Sequence, residues 1–223
     1  MFTKVRLRIL YIFLLLTTYS INSNTHEFWI EPSQYQSKDS LITAHLRVGQ
    51  EFQGMALMYN PKDFKSFKIL SGTKNKKEKV KGILGDVPAI ETNTDLENLL
   101  IIFHETTDQL VNYKKFEKFE DFVKEKGYQN LINLHKDKGF PESNFVESYR
   151  RYAKSLIAIK GNDGNDKKTG LLFEFVLDQN PYKALDSNQI TATLYYKKRP
   201  LKNHLVTIFS KYKNSTLTIS SIR

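Results

Sequence analysis

Five histidines, His26, His45, His104, His135 and His204, are the residues of this chain best suited to bind a transition metal. Imidazole is a neutral nitrogen donor near neutral pH, and the chain has no cysteine to offer a thiolate. His26 opens the segment His26-Glu-Phe-Trp-Ile-Glu-Pro32. Were it the first residue of a processed chain, its α-amine and ring could grip one ion together. His104 ends an apolar run, Leu99 to Phe103, where a strand end commonly presents its side chain to a cleft. His135 falls on the apolar stripe of a helical pattern, where a polar ring needs a hydrogen-bond partner or a metal. His45 shares a polar strand face with Thr43 and Arg47, and His204 lies beside a turn; both read as structural. No HxxxH or HExxH spacing links any of them.

Other chemistry is thinly represented. No GxSxG, phosphate-binding loop or paired-carboxylate signature stands out, and no reaction is expected. Glu147, Arg151 and Lys154 fall within one or two turns of a presumed helix, as an anion site or as simple i,i+4 pairing of Glu147 with Arg151; the pairing is preferred. The stretch 161–170 is rich in Gly, Asn and Asp but lacks the closing glutamate of a calcium loop, and reads as a flexible hairpin turn.

Composition sets the surroundings. Lys4, Arg6 and Arg8 precede the apolar run Ile9 to Leu16, and a polar stretch follows to Thr25. That order predicts a signal peptide over 1–25, a run too short to span a bilayer, and a periplasmic or secreted bacterial protein starting at His26. The chain after the signal is expected not to span a membrane. The net charge of +10 comes from scattered lysines, with no basic stripe interleaved with aromatics, so nucleic acid is not an expected partner.

The elements that must position these residues are mostly strands. Ile42, Ala44, Leu46 and Val48 alternate with polar residues, the period of a half-buried strand. Further strands are expected around 67–70, 99–103, 171–177, 190–196, 204–209 and 216–219. Between them Phe116, Phe119, Phe122 and Val123 keep helical spacing, as do Tyr128, Leu131, Ile132 and His135. Phe145, Tyr149, Tyr152, Ala153 and Leu156 read as a third amphipathic run. The expected fold is mainly β: a β-sandwich over 26–187 with a helical insert at about 114–153, then a small β module over 188–223. Three strands seldom stand alone, so that module is expected either to dock on the first domain or to be shorter than in related chains.

Several blocks in order resemble a family of bacterial exported domains of unknown function. They are His26 to Pro32, Leu46-Arg-Val-Gly49 with Phe52-Gln-Gly54, Gly85 to Ala89, His104-Glu-Thr-Thr107, and His135 with Gly139 to Glu142. Glu147 to Lys154 and Glu174 to Tyr182 complete the likeness. Members are often labelled periplasmic components of cobalt or nickel uptake systems. The resemblance implies a metal-binding accessory protein that holds nickel or cobalt at His26, His104 and His135 and hands it to a membrane metal transporter. It departs at Tyr152, where relatives often carry histidine. The other expectation is a non-enzymatic β-sandwich module that binds a cell-envelope polymer or protein through its basic, aromatic-rich surface. Gathering of the three histidines around one point favours the first; their dispersal favours the second.

Overall fold

The computed structural model describes residues 27–183, 189–212 and 215–220, with residues 212 and 215–220 described through their backbone. The expected signal 1–25 and His26 lie outside the described residues. The first strands are β1 Glu27–Pro32, β2 Gln36–Ser37, β3 Leu41–Gln50, β4 Gln53–Leu57, β5 Phe64–Ser71 and β6 Lys77–Lys79. Next come β7 Ile90–Asn93, β8 Asn98–Thr106 and β9 Gln109–Tyr113, then helices α1 Phe116–Glu125 and α2 Asn130–Asp137. The chain continues through β10 Phe145–Tyr149, β11 Tyr152–Ile159, β12 Phe173–Leu177, β13 Ala192–Tyr196 and β14 Arg199–Pro200. A final hairpin pairs β15 Thr207–Tyr212 with β16 Ser215–Ser220.

Two sheets face each other. In the first, β3 is central, with β1 on one edge and β4 and β7 sharing the other, all antiparallel. The second runs β2-β11-β8-β5-β6, antiparallel except for the short parallel pairing of β2 with β11. The alternation read along β3 sends Ile42, Ala44 and Leu46 inward, against Phe67, Ile69, Leu100, Ile102 and Ile157 of the second sheet. The opposite face of the second sheet is covered too: Leu70, Leu99, Ile101 and Phe103 pack with Leu171, Tyr152, Leu156 and Tyr182. Strand β8 therefore has no water-facing side, and every residue from Leu99 to Thr106 is buried. The mainly β sandwich agrees with expectation.

The two expected helices form, but the third run does not. Residues 145–156 are strands β10 and β11, pairing with β9 and β8. Phe145 and Tyr149 satisfy helical and strand periods alike over so short a run, and β11 alternates inward through Ala153, Ser155, Ile157 and Ile159. Two open strand edges, on β8 and β9, decide the outcome by offering backbone partners that a helix would leave unused. The helices instead close a separate cluster of Tyr113, Phe116, Phe119 and Val123 against the β9–β10 ribbon. Strand β13 pairs with β12, so one small sheet joins strands from both sides of position 188. No helix among the described residues is long and apolar enough to cross a membrane.

The β3–β4 hairpin turns on two residues, Glu51 and Phe52, both left-handed at φ 51° and 62°. Such a turn suits Asn-Gly; two L side chains there hold backbone strain. Replacing Glu51, whose carboxylate makes no bond in the turn, should relieve part of it. Glu51→Asn is expected to raise the unfolding free energy by about 1 kcal/mol in urea titration. An unchanged or lowered midpoint would mean the turn is not strained.

Candidate functional site

Strand β1 has two faces with different work. Phe28 and Ile30 turn into the core, while Glu27, Trp29 and Glu31 turn out. Opposite them on β3, Trp29 pairs with Arg47 and Glu31 with His45. Arg47 reaches diagonally to donate from Nε to Glu31 Oε2 at 2.7 Å and from a terminal nitrogen to the Gly54 carbonyl at 3.1 Å. Tyr35 follows β1, and the strained turn swings Phe52 to the same side. Lys211 arrives from β15, whose Phe209 ring stands 6.2 Å from that of Phe52.

Together Trp29, Glu31, Tyr35, His45, Arg47, Phe52 and Lys211 line an open cavity of about 610 Å³. The outer face of a half-buried sheet normally carries short or charged side chains toward water. Here the cleft over that face is lined by three aromatic rings together with a carboxylate, a guanidinium, an imidazole and an ammonium. The Trp29 indole N–H is sealed and has no hydrogen-bond partner, an arrangement that costs on the order of 1–3 kcal/mol. Burial, and then the charge of Glu31, push the Tyr35 phenol up, so its hydroxyl stays a neutral donor and acceptor. Rings that stack, set among fixed donors and acceptors, suit a ligand with both apolar faces and polar edges.

The histidines are dispersed. His104 is 1% exposed on β8, with the rings of Phe28, Phe64 and Phe67 at 5.3, 4.8 and 4.8 Å. Both its ring nitrogens are buried without a partner, and burial pulls its pKa down to about 4. His135 lies in the helical cluster, where its Nε2 stands 2.8 Å from the Pro141 carbonyl and so carries the proton it donates. Phe116, Phe119, Phe140 and Phe145 surround it. His104 and His135 share no ring neighbour and occupy different clusters. His45 lines the outer cleft, and His204 meets Tyr128 at 3.3 Å. Among the described residues no group of three histidine, aspartate or glutamate side chains is placed to hold a metal. His104 thus carries one unprotonated ring nitrogen with no partner, whereas His135 Nε2 is engaged by the Pro141 carbonyl.

Two further expectations change. Glu147 is on a strand, where it accepts from the Tyr113 hydroxyl at 2.9 Å, and Arg151 lies over the Tyr149 ring. The i,i+4 pair with Arg151 vanishes with the helix that would have made it. The stretch 161–170 is no free hairpin turn: Asp166 and Thr169 are buried, and Asn180 donates to the Asn162 and Gly164 carbonyls at 2.7 Å each. The cleft itself escaped sequence reasoning. Its one legible sign was the sole tryptophan, placed on the polar period of β1.

Fold and site define a two-layer antiparallel β-sandwich with an aromatic-lined cleft on the outer face of its first sheet. The chain belongs to the family described as a domain of unknown function (DUF4198), whose model matches residues 23–219. No curated protein and no solved structure matches it.

His104 ties stability to acidity. An unfolded histidine binds a proton near 6.5, while folded His104 resists until about 4. Its stabilising contribution is therefore complete above pH 6.5 and is lost as pH falls from there toward 4. The loss should reach about 3 kcal/mol. His104→Leu should fold and show a shallower decline between pH 6.5 and 4.5 in urea unfolding; an identical decline would show that His104 is not held neutral.

Proposed function

We propose that this protein is an exported, non-catalytic binding module that takes a cell-envelope glycan in the cleft of its first sheet. The observation that carries this reading is the cavity of about 610 Å³ lined by Trp29, Tyr35 and Phe52 together with Glu31, His45 and Arg47. Its size lies within the usual range of about 300–1,000 Å³ for small-ligand sites. Sugar rings present C–H faces that stack on aromatics and hydroxyls that pair with carboxylates and guanidinium groups. Arg47 is already braced by Glu31 and the Gly54 carbonyl, so little side-chain freedom would be lost on binding. Dispersal of His104 and His135 favours this reading over a three-histidine metal site. The basic, apolar, polar order of residues 1–25 supports export.

Since Trp29 is the only tryptophan, its fluorescence reports on the cleft directly. Soluble cell-envelope polysaccharide should shift the emission of the wild-type protein saturably. Arg47→Ala should weaken binding about tenfold or more, the effect of losing roughly 1.5–3 kcal/mol of charged hydrogen bonding. Emission that ignores every envelope fraction, or unchanged affinity in Arg47→Ala, would refute the assignment.

A second reading rests on His104. The one lone-pair nitrogen of a neutral, unpartnered ring can ligate a metal, and His26 lies two positions before Phe28, whose ring meets His104. In this reading the protein is a nickel- or cobalt-binding accessory of a membrane metal transporter, with His26 and His104 as ligands. Calorimetry with Ni²⁺ decides it. His26→Ala and His104→Ala should each weaken binding strongly and His135→Ala should not; equal affinity in wild type and His104→Ala would end the metal reading.

A further inference from the structure

Lys154 occupies a place where lysine is rare. It lies on β11 opposite Phe103, on the covered face of the second sheet between Tyr152 and Leu156. Its side chain is 11% exposed, and its Nζ stands 2.7 Å from Asp166 Oδ1 and 3.8 Å from Glu174 Oε2. Both carboxylates are 2% exposed. The three groups come from three segments, β11, the loop before β12, and β12 itself. The cleft and the histidines make no use of them.

Each carboxylate is held in a fixed pose. Asp166 Oδ2 accepts the Leu177 backbone N–H at 2.9 Å, while Oδ1 faces the lysine and also accepts the Lys167 backbone N–H at 2.7 Å. Glu174 Oε2 accepts the Thr169 backbone N–H at 2.9 Å and its hydroxyl at 2.7 Å, while Oε1 accepts the Gly170 N–H at 3.2 Å. Nζ also donates to the Phe175 carbonyl at 2.8 Å and the Lys167 carbonyl at 3.0 Å. A plain buried ion pair needs one carboxylate. A second, fixed within reach of the same amine, is the arrangement that acid–base chemistry requires.

We propose that Lys154 and Asp166 condense into an intramolecular isopeptide bond, with Glu174 as the proton carrier. The reacting form is the one in which the Lys154 ammonium has passed a proton to Asp166 Oδ1, 2.7 Å away. The free amine attacks Asp166 Cγ, forming the new N–C bond and placing negative charge on Oδ2. The Leu177 N–H already points at that oxygen. Glu174 takes a proton from the attacking nitrogen and delivers it to Oδ1. The Cγ–Oδ1 bond then breaks, Oδ2 regains its carbonyl, and one water leaves. The ammonium and carboxylate have become an amide and water, with no change of oxidation state. Holding nucleophile and acyl carbon together supplies the entropy that makes this condensation unfavourable in solution. The link would tie β11 to the loop before β12 in a chain that has no cysteine for a disulfide.

Intact mass of the full-length purified protein under denaturing conditions tests this. The expected result is a species lighter than its sequence by one water. Trypsin should then release peptide 152–160 joined to peptide 161–167 through Lys154 and Asp166. Glu174→Gln and Lys154→Arg, each checked for a native circular dichroism spectrum, should have full mass and yield peptides 152–154, 155–160 and 161–167 separately, because trypsin also cuts after position 154 when that side chain is not acylated. Full mass in the wild type would overturn the proposal. So would a water lost within peptide 161–167 alone, since Asp163-Gly164 can close on itself, or a cross-link that survives unchanged in Glu174→Gln.

Discussion

Strand β8 has no solvent face, and the arrangement of the other layers follows from that constraint. Its even residues Leu100, Ile102 and His104 enter the core between the sheets, while Leu99, Ile101 and Phe103 enter a second core beneath the segment that leads into β12. A strand buried on both faces must have both edges paired, because no water reaches its backbone. β5 and β11 supply those edges over nearly its whole length. The first sheet closes one side, and the 161–183 segment must close the other. This explains why a Gly- and Asp-rich stretch that resembles a surface turn is instead tucked in and tied by buried Asp166, Thr169 and Asn180.

The same constraint keeps the aromatic-lined cleft away from the centre. β1 is fixed by its inward residues Phe28 and Ile30, so the outward residues Trp29 and Glu31 stand on a rigid base. Arg47 then gains its two acceptors from the strands on either side of it, β1 and β4. The left-handed turn at Glu51 and Phe52 holds strain at the point where an aromatic ring is brought to the cleft, a pattern common where side chains serve binding. His104 behaves differently: it is polar, enclosed by phenyl rings and unpartnered, and so links the core to pH.

Much of the fold was legible because burial leaves a period in the sequence. The alternation in β3, the apolar block of β8 and the 3.6-residue spacing of α1 were all readable. Residues 145–156 were not, since a short run can satisfy both periods until neighbouring edges choose one. The site was less legible for a related reason. Pairing of Trp29 with Arg47 and of Glu31 with His45 is a matter of register between strands that no spacing along the chain encodes. Separation works the same way: His104 and His135 are comparable as letters, yet topology sends one to the sandwich core and the other to the helical cluster. Lys154 was visible as a charge, but its two carboxylate partners lie 12 and 20 positions downstream, as the sequence numbering shows.

Under the proposed function, the outer face of the first sheet is the binding surface. A single tryptophan gives a single indole N–H resonance, which makes Trp29 the most direct witness. In a titration of ¹⁵N-labelled protein with cell-envelope glycan fragments, that resonance should move progressively and saturate. Backbone amides of residues 45–47 should shift with it, and those of the α1–α2 cluster should stay in place. Shifts confined to the helical cluster, or an indole resonance unmoved while other amides saturate, would place binding elsewhere and rule out the cleft.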